Sequence, residues 1–283
     1  MLALSIMLVV FSGLAHAVWN TLAKQSVNKQ LFLWIILVPT TIALLPHFIT
    51  EVIHSSLPVE AFILIGLSLF LQSCYAVLLS KSYDVGDMSQ VYPIMRGTST
   101  LLIPLIGVMF LGESLSNWGW IGLFFILSGI FLMSGNKVGG SSSMIKLRPI
   151  LLALGVGLTT TAYILVDKIN LTYLSPLSLL EISNIGFMLG LTPFIKSVAR
   201  VKETVRKNWK VLLAGSILSP GSYLLFLVAM YYVPVARIAP IREVGTVFGA
   251  LLGILILRES EGTRRLIAAS IIATGIVAIG MLG

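Results

Sequence analysis

The chain has 283 residues, 57% of them hydrophobic and 11% charged, with 19 basic against 11 acidic side chains and a net charge of +8. A soluble domain carries roughly 25% charged residues, so this chain lacks the charge for a hydrated skin, and soluble enzymes, disordered proteins and disulfide scaffolds give way to an all-α integral membrane protein. The basic excess, which in a soluble chain would point to nucleic acid, is explained here by loop topology with no nucleic-acid partner, and the single cysteine, Cys74, can build neither an internal disulfide nor a metal cluster.

A hydrocarbon core of about 30 Å takes about 20 apolar residues as helix. In chain order that ruler predicts ten transmembrane helices, over roughly 3–23, 31–50, 61–81, 88–111, 117–135, 149–167, 175–195, 210–232, 236–257 and 263–282. The ten-residue alternation of a membrane β-barrel is missing from the pattern. Ala15-His16-Ala17 has the look of a cleavage site, but no Lys or Arg precedes Lys24, so span one is expected to stay as an uncleaved helix. Between spans five and six, Gly139-Gly140-Ser141-Ser142-Ser143 has the composition of a flexible linker. The expected organisation is a first five-helix unit, 1–135, a linker loop, 136–148, and a second five-helix unit, 149–283.

Basic residues collect on one side of this pattern. The odd-numbered loops hold 15 of the 19, among them Lys24, Lys81, Arg148, Arg264 and the run Lys196, Arg200, Lys202, Arg206, Lys207 and Lys210. The even-numbered loops hold Lys168 alone, and Arg96, Arg237 and Arg242 fall within or at the mouths of spans. The positive-inside rule places the odd loops in the cytoplasm and both termini outside, in what is expected to be a bacterial inner membrane.

The two halves repeat. Gly13–Lys24 reads GLAHAVWNTLAK and Gly157–Lys168 reads GLTTTAYILVDK, so at an offset of 144 Gly13 meets Gly157, Trp19 meets Tyr163 and Lys24 meets Lys168. At an offset of 148 Tyr75 meets Tyr223, and at 146 Arg96 meets Arg242, Glu113 meets Glu259 and Gly129 meets Gly275. Five is odd, so two five-span units in series enter the membrane from opposite sides. That is an inverted-topology repeat, the architecture of many secondary transporters, with the solute site near midplane between the units.

The stretch DMSQVYPIMRGTSTLLIPLIGVMFLGE, Asp87–Glu113, and its partner VPVARIAPIREVGTVFGALLGILILRE, Val233–Glu259, resemble the fourth and ninth helices of the drug/metabolite transporter superfamily, and within it the EamA family. The opening His16-Ala17-Val18-Trp19-Asn20 resembles that family's first helix. The resemblance implies a secondary carrier, an exporter or exchanger of a small polar metabolite such as an amino acid or organic anion, and not an enzyme. Family members are usually drawn with termini inside, whereas the charge count here points outside.

Charge inside a bilayer is expensive and marks function by default. Arg96 lies about eight residues into span four, or about 12 Å at 1.5 Å per residue, and Arg242 lies about as deep in span nine from the opposite face. The pair can hold an anionic group through guanidinium forks, with Glu243 either at the solute or pairing with Arg96 across the halves. His16, Trp19 and Asn20 share one face of span one, and Tyr75, Tyr92, Tyr163 and Tyr223 offer apolar bodies with polar tips. These ten residues form the expected solute site, with Gln72 and Gln90 as further candidates. A coupling proton is a conceivable second passenger. Pro93 and Pro240, just before the two arginines, mark bends. His47, Glu51 and His54 have metal-like spacing but no HExxH and no cysteine partner, so no zinc is expected. No Walker A, GxSxG or GxGxxG pattern points to a nucleotide or other cofactor. The competing expectation is a membrane-embedded lipid-handling protein or enzyme.

Overall fold

Each predicted span is mainly helical over its described residues. The computed structural model describes residues 1–26, 28–85, 88–134, 147–255 and 262–282. The linker core 136–146, Asp87, Arg258 and Glu259 lie outside the described residues, as do the side chains of Lys24, Tyr83 and Gln90. In chain order the helices are α1 (Leu2–Gln25), α2 (Lys29–His54), α3 (Val59–Val85), α4 (Met88–Phe110), α5 (Asn117–Ser134), α6 (Leu147–Asn170), α7 (Pro176–Leu191), α8 (Val198–Tyr232), α9 (Val235–Ile241), α10 (Val244–Leu255) and α11 (Gly262–Leu282). Eight of them are long and apolar enough to cross a membrane alone. The short α5 and the pair α9–α10 complete ten crossings among the described residues, so the ninth span is two helices rather than one.

Local chemistry sets the boundaries. Asn28 accepts a hydrogen bond from the Leu31 backbone N–H at 3.0 Å and opens α2. Ser175 caps α7, with Pro176 in the first turn where its missing N–H costs nothing. Ser197 caps α8, which therefore begins twelve residues before the span read from hydropathy at 210. Its first turns carry good helix formers and a Lys207–Glu203 pair at 2.7 Å. Asn208, at φ −124° and ψ 22°, then kinks the helix and separates this basic surface stretch from the apolar crossing.

The helices pack as an exchange-symmetric network. In the first half α1 packs on α8 and α10, and its counterpart α6 packs on α3 and α4. Helix α2 packs on its own counterpart α7, α5 on α11, and α4 on α9. Swapping the halves maps this network onto itself, as a pseudo-twofold between inverted five-helix units requires. Close approach rests on small residues. A Cβ on Gly13 would stand 2.5 Å from Val244 Cγ1 and 2.8 Å from the Gly245 nitrogen, and one on Gly157 would stand 2.6 Å from Thr98 Cβ. The same device thus brings α1 onto α10 and α6 onto α4. Ser12 and Ser222 add reciprocal hydrogen bonds between α1 and α8, each hydroxyl donating to the other's carbonyl at 2.6 and 2.9 Å.

Outward-facing Phe11, Phe62, Phe70, Phe124 and Phe131 are all more than half exposed. Such a belt is stable only against lipid. Inside, Tyr163, Leu179, Tyr223, Phe226, Ile238 and Ile272 belong to one buried cluster contributed by both halves.

The bundle end that carries the even-numbered loops is tied shut by polar contacts. The Glu51 carboxylate accepts from the Ser175 N–H at 2.7 Å, the Ser175 hydroxyl at 2.6 Å, and the Ser178 hydroxyl. Glu113 reaches α9 in the same way, accepting from the Val235 and Ala236 N–H groups at 2.8 and 2.7 Å. Both acids sit on helix N-termini, where the free N–H groups and the helix dipole favour negative charge. Gly112, at φ +65°, makes the turn that lets Glu113 fold back. Lys168 donates to the Met230 and Val233 carbonyls, and Arg237 to those of Ile279 and Gly280, satisfying helix C-termini. His47 leans on Glu51 at 3.3 Å, while His54 turns back onto the Thr50 carbonyl at 2.8 Å.

Candidate functional site

Between the halves lies a cavity of about 80 Å³, walled by α1, α2, α3, α6, α7, α8 and the α9–α10 junction. Its chemistry comes from His16, Trp19, Gln72, Tyr75, Tyr163, Asn184, Tyr223 and Arg242. The remaining wall is mainly aliphatic, from Leu33, Ile36, Leu37 and Leu180. Few polar groups in a largely apolar wall is the usual composition of a small-molecule site.

The aromatic side chains form a continuous arc. Tyr75 and Tyr163 meet edge-on with centroids 5.4 Å apart, and Tyr163 and Tyr223 meet at 6.1 Å. Tyr75 also touches Phe187 at 5.7 Å, and His16 stands nearly perpendicular to Trp19 at 5.1 Å. The Trp19 indole nitrogen and the Gln72 amide nitrogen are buried and make no hydrogen bond among the described residues. Both line the cavity, and the Gln72 amide also faces the Asp167 carboxylate behind it.

The two repeat-related arginines have different environments. Arg96 donates to both oxygens of Glu243, Nη2 to Oε1 at 2.5 Å and Nε to Oε2 at 3.2 Å. Thr100 and Thr246 each donate to the same carboxylate at 2.9 Å, and the Tyr92 hydroxyl lies 3.4 Å from Thr246 Oγ1. Glu243 is 2% exposed and fully engaged. Arg242 instead lays its guanidinium over Phe226, 4.4 Å from the ring centroid, and beside Tyr223 at 5.6 Å. Its Nε has no hydrogen-bond partner, and it forms no ion pair among the described residues. A half-buried cation resting on ring faces, with its Nε unpaired, is arranged to receive an acceptor from the cavity.

The α9–α10 junction creates this difference. Pro240 precedes it, and three backbone bonds around it tighten to the i→i−3 pattern: Glu243 N–H to Pro240 O at 3.0 Å, Gly245 N–H to Arg242 O at 3.0 Å, and Thr246 N–H to Glu243 O at 2.8 Å. The turn sends adjacent residues to opposite jobs, Arg242 to the cavity and Glu243 to α4. Helix α4 carries Pro93 but runs unbroken through Arg96.

Of the ten residues expected at the site, His16, Trp19, Tyr75, Tyr163, Tyr223 and Arg242 lie on the cavity wall. Arg96, Glu243 and Tyr92 form the polar cluster beside the junction, and Asn20 reaches neither. Gln72, the further candidate on α3, is on the wall. One buried acid escaped the sequence reading. Asp167 is fully buried, and it accepts from the Ser68 and Tyr223 hydroxyls at 2.6 Å each. It lies at the end of span six beside Lys168, where an acid reads as interfacial, and its 144-offset counterpart is the apolar Ala23.

Two segments, residues 3–135 and 147–281, each match the EamA-like transporter family. The chain belongs to that family. It is a multi-pass membrane transporter of the drug/metabolite type. The family's fold is repeated in each half, in agreement with the exchange symmetry of the packing. The chain is similar to the glucose uptake protein GlcU of Bacillus subtilis (strain 168), with 31% identity over 207 residues that cover 70% of this chain and 69% of that protein. It is also similar to an uncharacterized transporter in the cobO 3' region of a Sinorhizobium species, 28% identical over 80 residues, 28% of this chain and 56% of that one. A solved crystal structure superposes with a TM-score of 0.74 over 97% of this chain and 95% of its own, at 12% identity, a likeness of fold alone.

Proposed function

We propose that this family member is a secondary carrier that moves a small polar metabolite bearing a carboxylate or similar anionic group, as an exporter or exchanger, by alternating access at the cavity between units 1–135 and 149–283. The observation that carries the reading is Arg242, a half-buried guanidinium on the cavity wall that pairs with no carboxylate among the described residues. A fixed cation in a low-dielectric site is costly until an anion arrives, so solute binding is favoured by the charge it neutralises. The aromatic arc would flank the solute, and His16, Trp19, Gln72 and Asn184 would orient it. The Arg96–Glu243 pair acts as the fastener between α4 and the junction rather than as a ligand. Because the even-loop end is tied by Glu51 and Glu113, the state described is closed at that end. With the odd loops in the cytoplasm of a bacterial inner membrane and both termini outside, that end is the external gate. Rocking of one unit against the other would break these caps and form their counterparts on the other side.

A second reading is a sugar carrier. The similarity to a glucose uptake protein and the aromatic cavity residues Trp19, Tyr75, Tyr163, Phe187 and Tyr223 favour it. Counterflow separates the two. Proteoliposomes are preloaded with one of a panel of unlabelled amino acids, dicarboxylates, phosphorylated metabolites or D-glucose, and uptake of the labelled counterpart is followed. Exchange of a carboxylate that is lost in Arg242→Ala supports the leading reading. Exchange of glucose alone replaces it with the second, and absence of any exchange by folded protein turns attention to lipid handling.

A further inference from the structure

Three acids among the described residues are buried to 2% exposure or less: Asp167, Glu181 and Glu243. Glu243 is neutralised by Arg96. Asp167 has no cation. Its partners are the Ser68 hydroxyl on α3 donating to Oδ1, the Tyr223 hydroxyl on α8 donating to Oδ2, and the Gln72 side-chain amide, which faces the carboxylate from α3. The neighbouring Lys168 is turned away onto the Met230 and Val233 carbonyls. From α4, Arg96 is spent on Glu243. From α3, Tyr75 packs against Tyr163, which stands one turn before Asp167 on α6 itself, and Gln72 lies one turn beyond Ser68. The site is therefore a carboxylate enclosed by neutral donors, two hydroxyls and an amide. With no counter-ion in contact among the described residues, the charge state of this carboxyl rests on donated hydrogen bonds alone.

Tyr223 belongs to two sites at once. Its hydroxyl is bound to Asp167, its ring lines the cavity, and the Arg242 guanidinium rests against that ring. We propose that Asp167 is a proton-binding site whose occupancy Tyr223 reports to the solute cavity, making the proton the coupling ion of the carrier. The inference rests on the proposed carrier function for its coupling role, but the protonation itself can be measured without any solute.

The hydrogen-bond accounting gives the coupling. When Asp167 is ionised, the Tyr223 O–H donates to Oδ2 and has no donor left for the cavity. A proton arriving on Oδ2 reverses that bond, because the carboxylic acid now donates and the phenol oxygen accepts. The Tyr223 hydrogen is then released toward the cavity as a donor to the solute. Protonation also removes the one negative charge linked through Tyr223 to Arg242, so the cavity becomes more positive. Both changes favour a solute with acceptor oxygens, and both reverse when the proton leaves.

The test has a solute-independent arm and a transport arm. In the first, infrared difference spectra of the whole protein in liposomes are recorded across a pH titration, following the carboxylic-acid C=O stretch. Wild type is expected to show a titrating carboxyl band that disappears in Asp167→Asn and survives in Glu181→Gln. A spectrum with no titrating band, or one unchanged in Asp167→Asn, overturns the proposal whatever the solute. In the second arm, D-glucose and the amino-acid and organic-acid panel are offered to proteoliposomes under an imposed pH gradient. Accumulation several-fold above the gradient-free level is expected in wild type and not in Asp167→Asn. Tyr223→Phe is expected to keep the infrared band while losing the pH dependence of exchange, which separates communication from proton binding. Accumulation driven by a sodium gradient and not by a pH gradient, or retained in Asp167→Asn, overturns the coupling. A titrating Asp167 band in a protein that exchanges none of the panel would leave the proton site standing and count against the carrier reading alone.

Discussion

Arg96 and Arg242 occupy matching places in the two halves and do opposite things. Arg96 sits in an unbroken helix and is neutralised by an acid, two threonines completing the shell. Arg242 sits at a helix junction, stacked on Phe226 with its Nε unpaired. One substitution accounts for much of the contrast. The position 146 residues before Glu243 is Gly97, so the first half supplies no acid that would neutralise Arg242 in return. An inverted repeat can thus keep a symmetric scaffold while giving its two equivalent charges to different tasks, one to holding the bundle and one to the cavity.

The sharpest way to break the comparison is to remove the acid. Glu243→Ala leaves Arg96 buried without its counter-ion, and breaking a buried pair costs about 3–5 kcal/mol. The folded fraction in a detergent melt should fall steeply, and Arg96→Ala/Glu243→Ala should recover part of it. A double variant no better than the singles would mean the pair is not the fastener. Arg242→Ala, by contrast, should fold nearly as well as wild type and lose about ten- to a hundredfold in solute affinity, the worth of charge-assisted hydrogen bonds of about 1.5–3 kcal/mol. Isothermal calorimetry with the exchanged solute reads this directly.

The packing symmetry invites a smaller test. Gly157→Ala places a methyl 2.6 Å from Thr98 Cβ and 2.9 Å from the Met95 carbonyl, and overpacking of this kind costs about 1–3 kcal/mol. Gly13→Ala should cost a similar amount on the α1–α10 side, and a large inequality in melting temperature between the two would show that the halves do not share the load. The mildest change is Glu113→Gln, which weakens the cap on α9 by about 1 kcal/mol. In a Cys74→Ser background with a reporter cysteine on the wall at Leu180, maleimide labelling from the even-loop side should become faster. Unchanged labelling would remove Glu113 from the gate.

Much of the candidate site was readable in the residues themselves. Arg96, Arg242, Tyr75, Tyr163 and Tyr223 stand out because charge and phenols are rare in apolar spans and because the offsets of 144 to 148 pair them. Asp167 did not stand out, because an acid next to a lysine at a span end looks interfacial. Its burial depends on Lys168 turning to the α8 carbonyls while Ser68 and Tyr223 arrive from other helices. Asn20 shows the reverse failure: it shares a helical face with His16 and Trp19, yet it does not line the cavity.

What the chain alone determined is the class of fold. Ten apolar stretches too long and too uncharged for water, an odd number per half and a basic bias in alternate loops require a membrane bundle with inverted halves, because each follows from solvation of backbone and charge. What only the tertiary structure decided is the division of labour inside that bundle. Whether an arginine meets an acid or an aromatic face depends on how a junction turns Arg242 and Glu243 apart, and on which neighbouring helix stands opposite. The acid contact joins residues 147 apart and the aromatic contact joins different helices, so no local pattern carries either.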